Sequence, residues 1–148
     1  MLLLGTRNSA SQLVASDGLV NLGEVYRRYC RKNNCGINTF NFSGSTIALQ
    51  HSGIYKVTVS ATFTSPVAGD ITLQLFENGV AIPSALATET ITTADTEVRS
   101  VAFDIYVLVD KDCVLGTTAT SIQNISLVNT SASAVNITNV VVDVLKVV

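Results

Sequence analysis

The sequence predicts an all-β fold of the sandwich or barrel type, and three observations carry that prediction. The stretch Gly53–Phe63 alternates strictly, with Tyr55, Val57, Val59, Ala61 and Phe63 on one face and Thr58, Ser60 and Thr62 on the other. A side-chain period of two over this length marks a half-buried strand. Turn-forming residues recur at short intervals between strand-like runs, as in domains built from short antiparallel strands. Asn78-Gly79, between Leu73–Phe76 and Val80–Ile82, is a hairpin signal, because a type I′ turn needs two residues that tolerate positive φ.

The elements follow in order. Ser11–Ala15 is a short first strand, closed by Asp17-Gly18. Leu19–Tyr29 comes next and reads two ways. Leu22, Val25, Tyr26, Tyr29 and Cys30 fall at helical spacing with arginines opposite. The two tyrosines, the valine and an internal Gly23 fit a strand equally well, and strand is the reading adopted. Lys32-Asn33-Asn34 ends it, and Ile37–Phe42 and Thr46–Leu49 follow on either side of Ser43-Gly44. Ser52-Gly53 leads into the long strand Ile54–Thr64, and Val67-Ala68-Gly69-Asp70 turns the chain into Ile71–Glu77. Beyond the hairpin lie Ala85–Thr92, then Thr93-Ala94-Asp95, then Glu97–Val109 and the turn Asp110-Lys111-Asp112. Cys113–Thr120, Asn124–Asn129 and Val135–Val147 complete the set.

The C-terminal strand differs from the rest. Val140, Val142 and Val144 occupy one face, and Val141, Leu145 and Val147 the other, interrupted by Asp143. Antiparallel strands usually show one face to water, so a strand apolar on both faces calls for two covers. The opposite sheet supplies one and a neighbouring subunit the other, since a bare apolar strand invites aggregation. Val140, Val142, Val144, Leu145 and Tyr55 are the residues expected at that subunit contact.

Composition points the same way. The 148 residues are 47% hydrophobic, enough for one domain with a substantial core, and the whole chain is read as one domain. Residues 1–36 are read as an attachment segment plus a first strand. Only 14% of residues are charged, against about 25% in an ordinary soluble domain, which suggests surface hidden against copies of the chain. No apolar run approaches the roughly 18 residues that span a bilayer, and Met1-Leu2-Leu3-Leu4 lacks the length and basic flank of a signal peptide. Synthesis in a cytoplasm, with any extracellular life reached through assembly into a particle, is the expectation. Arg7, Arg27, Arg28, Arg31 and Lys32 against Asp17 and Glu24 leave residues 1–36 at +3, and four basic against nine acidic residues leave the remainder at −5. The cluster Arg27–Lys32 falls far short of a basic domain, so it reads as a solvated strand end and nucleic acid is not an expected partner.

Candidate chemistry is sparse. His51, the one histidine, sits in a turn with no serine, cysteine and carboxylate arrangement to make a triad. Cys30, Cys35 and Cys113 lack the spacing of a zinc site; Cys30 and Cys35 would close a small loop if oxidised, but the odd count favours buried or loop thiols without a bond. Asp110-Lys111-Asp112 offers calcium too few oxygens and a competing cation. Asn41, Asn124, Asn129 and Asn136 each open a glycosylation triplet, which abundant Asn, Ser and Thr explain without sugar. No catalytic residue, cofactor or metal is expected, and an enzyme on this scaffold, a small hydrolase or lyase, is disfavoured.

Ile47-Ala48-Leu49 leading into Gly53–Val59, the run Pro66–Pro83 through Asn78-Gly79-Val80, the apolar C-terminal strand and Val20–Tyr29 together resemble the tumour necrosis factor and complement globular-head superfamily. Within it the chain is similar to phage and bacterial members related to the C-terminal domain of collagen-like spore-surface glycoproteins. The resemblance implies a jelly roll of about ten antiparallel strands, a compact homotrimer, and a binding or structural role. No Gly-x-y tract supplies a collagen stalk, which favours a phage virion component: a head fibre, capsid decoration or fibre-tip knob. Its expected partners are other virion proteins such as capsid, and a host surface glycan. The alternative is a trimeric binding module of a bacterial cell or spore surface, for instance one that takes carbohydrate.

Overall fold

Eleven antiparallel strands in two sheets make up the computed structural model, which describes residues 2–29, 40–109 and 122–148. They are β1 (Leu2–Asn8), β2 (Gln12–Val14), β3 (Glu24–Tyr29), β4 (Phe40–Phe42), β5 (Thr46–Leu49), β6 (Gly53–Thr64), β7 (Gly69–Glu77), β8 (Val80–Ile91), β9 (Arg99–Val109), β10 (Gln123–Asn129) and β11 (Val135–Lys146). The first sheet runs β3-β1-β11-β6-β9, and β2 continues the line of β1 along β11. The second runs β4-β5-β10-β7-β8.

Alternation decides which side chains fill the space between the sheets. Tyr55, Val57, Val59, Ala61 and Phe63 of β6 all point inward and are buried, while Thr58 and Ser60 point out. Register places Val57 beside Val144, Val59 beside Val142 and Ala61 beside Val140, so β11 presents the same inner face. Ile47, Leu49, Ile71, Leu73, Leu75, Ile125 and Leu127 meet them from the second sheet. Each such side chain, fully buried, contributes about 1.5–3 kcal/mol.

Several expectations change in detail. Leu2–Asn8 is a strand the pattern did not reveal, because its apolar residues are consecutive rather than alternating. The expected strand 19–29 is broken: Asn21 Oδ1 accepts the Gly23 amide at 2.8 Å in an Asx turn, and only Glu24–Tyr29 rejoins a sheet. Helix is absent among the described residues, so the helical spacing over 22–29 is coincidental. The Asn78-Gly79 turn forms as expected, with φ of 52° and 79°, and β8 starts directly after it rather than at Ala85. The expected strand Cys113–Thr120, the turn at Asp110-Lys111-Asp112, residues 37–39, Arg31, Lys32 and all three cysteines lie outside the described residues.

Two polar devices tie the sheets together. Asn129 is wholly buried at the end of β10, and its Nδ2 donates to the carbonyls of Val14, Ala15 and Ser133 at 3.1, 3.2 and 3.0 Å. Its Oδ1 accepts the Ser131 amide at 3.0 Å. A residue read as one of four glycosylation triplets is thus a joint between β2 and β10. At the β8–β9 crossover, the Glu97 carboxylate accepts the amides of Thr92 and Thr93 at 2.5 and 2.9 Å and pairs with Arg99. Those donors hold its carboxyl down to about 2.

Candidate functional site

With the inner faces spent on the core, interaction falls to the two outer faces. Of the residues expected at a subunit contact, Tyr55, Val140, Val142 and Val144 lie inside this chain's own core, 0–1% exposed. Their parity along β6 and β11 aims them at the second sheet, which supplies the cover that a neighbour was expected to give. Leu145, of opposite parity, reaches the outer face. The contact surface implied by β11 is therefore its other side.

Register assembles that side from residues far apart in sequence. Tyr29, Leu3, Leu145, Lys56 and Tyr106 form one row across all five strands of the first sheet. Leu108 and Ile54 form the next row toward the C-terminal end of β9. Tyr106 and Leu108 are 62% and 60% exposed, and Ile54, Tyr29 and Val147 also stand in solvent. These side chains make an apolar band across one end of the sheet. The alternation of Val101, Phe103, Ile105, Val107 and Val109 against Ala102, Asp104, Tyr106 and Leu108 was the sequence signal for its richest part.

Lys56 interrupts the band, and beyond it the face turns polar. Lys56 Nζ lies 3.1 Å from Asp104, which raises the lysine pKa. The first strand pair carries a bulge between Gly5 and Thr6, opposite which Tyr26 is the extra residue of β3. The Tyr26 ring lies over Gly5, where a Cβ would stand 2.8 Å from a ring carbon, so any larger residue would displace the ring. The Tyr26 hydroxyl donates to Asp143 Oδ1 at 2.9 Å, and the guanidiniums of Arg7 and Arg27 sit 5.6 and 5.5 Å from the ring centroid. The bond to Asp143 raises the phenol pKa.

No catalytic arrangement comes together among the described residues. His51 is exposed in a bend and contributes its carbonyl, which accepts the Tyr55 hydroxyl at 2.7 Å. No group of three His, Cys, Asp or Glu able to hold a metal ion occurs among the described residues. Arg27 and Arg28 lie exposed on the edge strand β3, and Arg28 donates to the Phe40 carbonyl.

No protein-family model matches the sequence, and no curated protein matches it. Solved structures match it over its length. The chain is similar to the globular domain of zebrafish complement 1qA protein, with 7% identity, a TM-score of 0.64, and coverage of 100% of this chain and 98% of that one. Eiger tumour necrosis factor from S. frugiperda gives 10% identity, a TM-score of 0.65, and coverage of 99% and 91%. PRD1 vertex protein P5 gives 17% identity, a TM-score of 0.54, and coverage of 99% and 97%. The fold is therefore the tumour necrosis factor and complement-head jelly roll that the sequence resemblance implied.

Proposed function

We propose that this chain is a non-enzymatic structural and attachment module that works as a homotrimer on a bacteriophage virion, as a head fibre, capsid decoration or fibre-tip knob. The apolar band on the outer face of the first sheet carries the self-association part of this reading. Tyr106, Leu108, Ile54 and Tyr29 stand exposed together there, and full burial of a side chain of this kind is worth about 1.5–3 kcal/mol. A closed ring uses that band fully and avoids the open-ended polymer that a repeating unlike contact would build. The number three comes from the family resemblance in the sequence. Likeness to the vertex protein of PRD1, a bacteriophage, supports placement on a virion, with capsid as the neighbour.

Light scattering on the purified protein at micromolar concentration tests the assembly. The expected mass is three times the 15.6 kDa chain. Leu108→Asp is expected to yield a folded 15.6 kDa monomer, since Leu108 is a surface residue of the single chain and its replacement costs little there. A wild-type monomer, or a Leu108→Asp trimer, refutes the assignment of this face. Mass spectrometry of purified phage particles tests the location.

A further inference from the structure

The second sheet also has an outer face, and at one end of it lies an open groove of about 540 Å³ whose lining carries no charge. Its floor includes Thr46 of β5 and Ser126 of β10, a cross-strand pair on the outer face, with Asn124 two residues along on the same side. None of these three side chains makes a hydrogen bond to the other described residues. Leu19, half exposed, supplies one apolar wall.

Both walls are fixed by hydrogen bonds from backbone amides. The β7–β8 turn is bolted to β10: the Asn124 amide donates to Asn78 Oδ1 and the Asn78 amide to the Asn124 carbonyl, both at 2.8 Å. On the other side the Val20 amide donates to Leu127 at 2.9 Å, and the Leu22 amide to Gly44 at 2.7 Å. A rigid groove spends little ordering entropy when it is filled.

We infer that this groove is a binding site for a neutral saccharide. Uncommitted hydroxyl and amide groups match sugar hydroxyls, Leu19 matches the C–H face of a pyranose ring, and the absence of charge disfavours sialylated, phosphorylated or sulfated ligands. A peptide adding as a strand needs an open sheet edge. Here the ladder between β5 and β10 is already paired under the groove, so recognition falls to side chains. The inference deepens the attachment reading above and rests on it for display: copies that cover the first sheet leave the second facing outward. Three grooves on one particle convert weak single-site binding into avidity gains of about 10²–10⁴.

The test is amide proton–nitrogen NMR of the Leu108→Asp chain and of the wild type, titrated with glucose, galactose and N-acetylglucosamine. Saturable shifts confined to Asn78, Gly79, Asn124 and Ser126 are expected with at least one sugar, at equal per-site affinity in both proteins. Ser126→Val with Thr46→Val, both good strand formers, should weaken that binding about tenfold or more. Absence of saturable shifts with all three sugars, shifts elsewhere, or unchanged affinity in the double variant overturns the site. Because the readout is per site, a monomeric wild type would sink the trimer while leaving the groove to stand or fall on its own shifts.

Discussion

Asn129→Ala removes a side chain that bonds four backbone groups at the corner between the sheets. The carbonyls of Val14 and Ser133 lose this donor and the Ser131 amide loses its acceptor, while the Ala15 carbonyl keeps the Gly18 amide at 2.9 Å. Each buried polar group left unpaired costs about 1–3 kcal/mol, and water entering the vacated space recovers part of that. The expected loss is about 3–5 kcal/mol, a large share of the 5–15 kcal/mol that holds an ordinary domain together. Asn129→Asp separates hydrogen bonding from volume. It keeps the acceptor for Ser131 but turns an oxygen toward three carbonyl oxygens, so its penalty at neutral pH should equal or exceed that of alanine. That penalty should shrink in acid, where a protonated carboxyl again has a proton to donate. Reversible urea denaturation followed by circular dichroism measures both variants. A loss below about 1 kcal/mol for alanine, or an aspartate variant as stable as wild type at pH 7, would refute the joint.

Two further perturbations test the core and the crossover. Phe63→Ala empties a fully buried ring site on β6 and should cost about 3–5 kcal/mol in the same denaturation experiment; below about 1 kcal/mol, the inner face has been misassigned. Glu97 is held below its unfolded value by two amides and Arg99, so its anchorage of residues 92–98 is fully present above about pH 4.5 and lost as pH falls toward 2. Amide exchange at Thr92 and Thr93 should accelerate across that window in the wild type, while Glu97→Gln should be fast throughout. Equal protection in the two proteins at pH 6 would remove the role given to Glu97.

What the sequence made legible was local. Alternation from Tyr55 to Phe63 announced both the strand and its buried face, because side-chain parity is a property of the strand alone. Asn78-Gly79 announced its turn through positive φ, again a local requirement. Pairing is not local. Asn129 looked like one polar residue among many because its partners lie at Val14, Ala15 and Ser133, two of them more than a hundred residues away. β11 showed two apolar faces, but periodicity cannot say which one meets the opposite sheet. Val140, Val142 and Val144, expected at a subunit contact, are turned by register toward the opposite sheet of the same chain.

That same register explains why the remaining face suits a partner. Leu3, Tyr29, Tyr106 and Leu145 are unremarkable where they stand in the chain, and only the five-strand alignment collects them. Covering a sheet face is costly when it buries unpaired charge, and removing one partner of a buried pair is costlier still. Here Lys56 is already matched by Asp104, and Asp143 by the Tyr26 hydroxyl; Arg7 reaches Glu24 at 3.8 Å, and Arg27 lies against the Tyr26 ring. A second copy laid on the band would gain apolar contact with Lys56 and Asp104 already neutralising one another. It would also take the Lys56–Asp104 pair out of water, where a stronger mutual attraction is set against the lost hydration of both ions. Under the proposed assembly, these charges would act on register and partner choice more than on affinity.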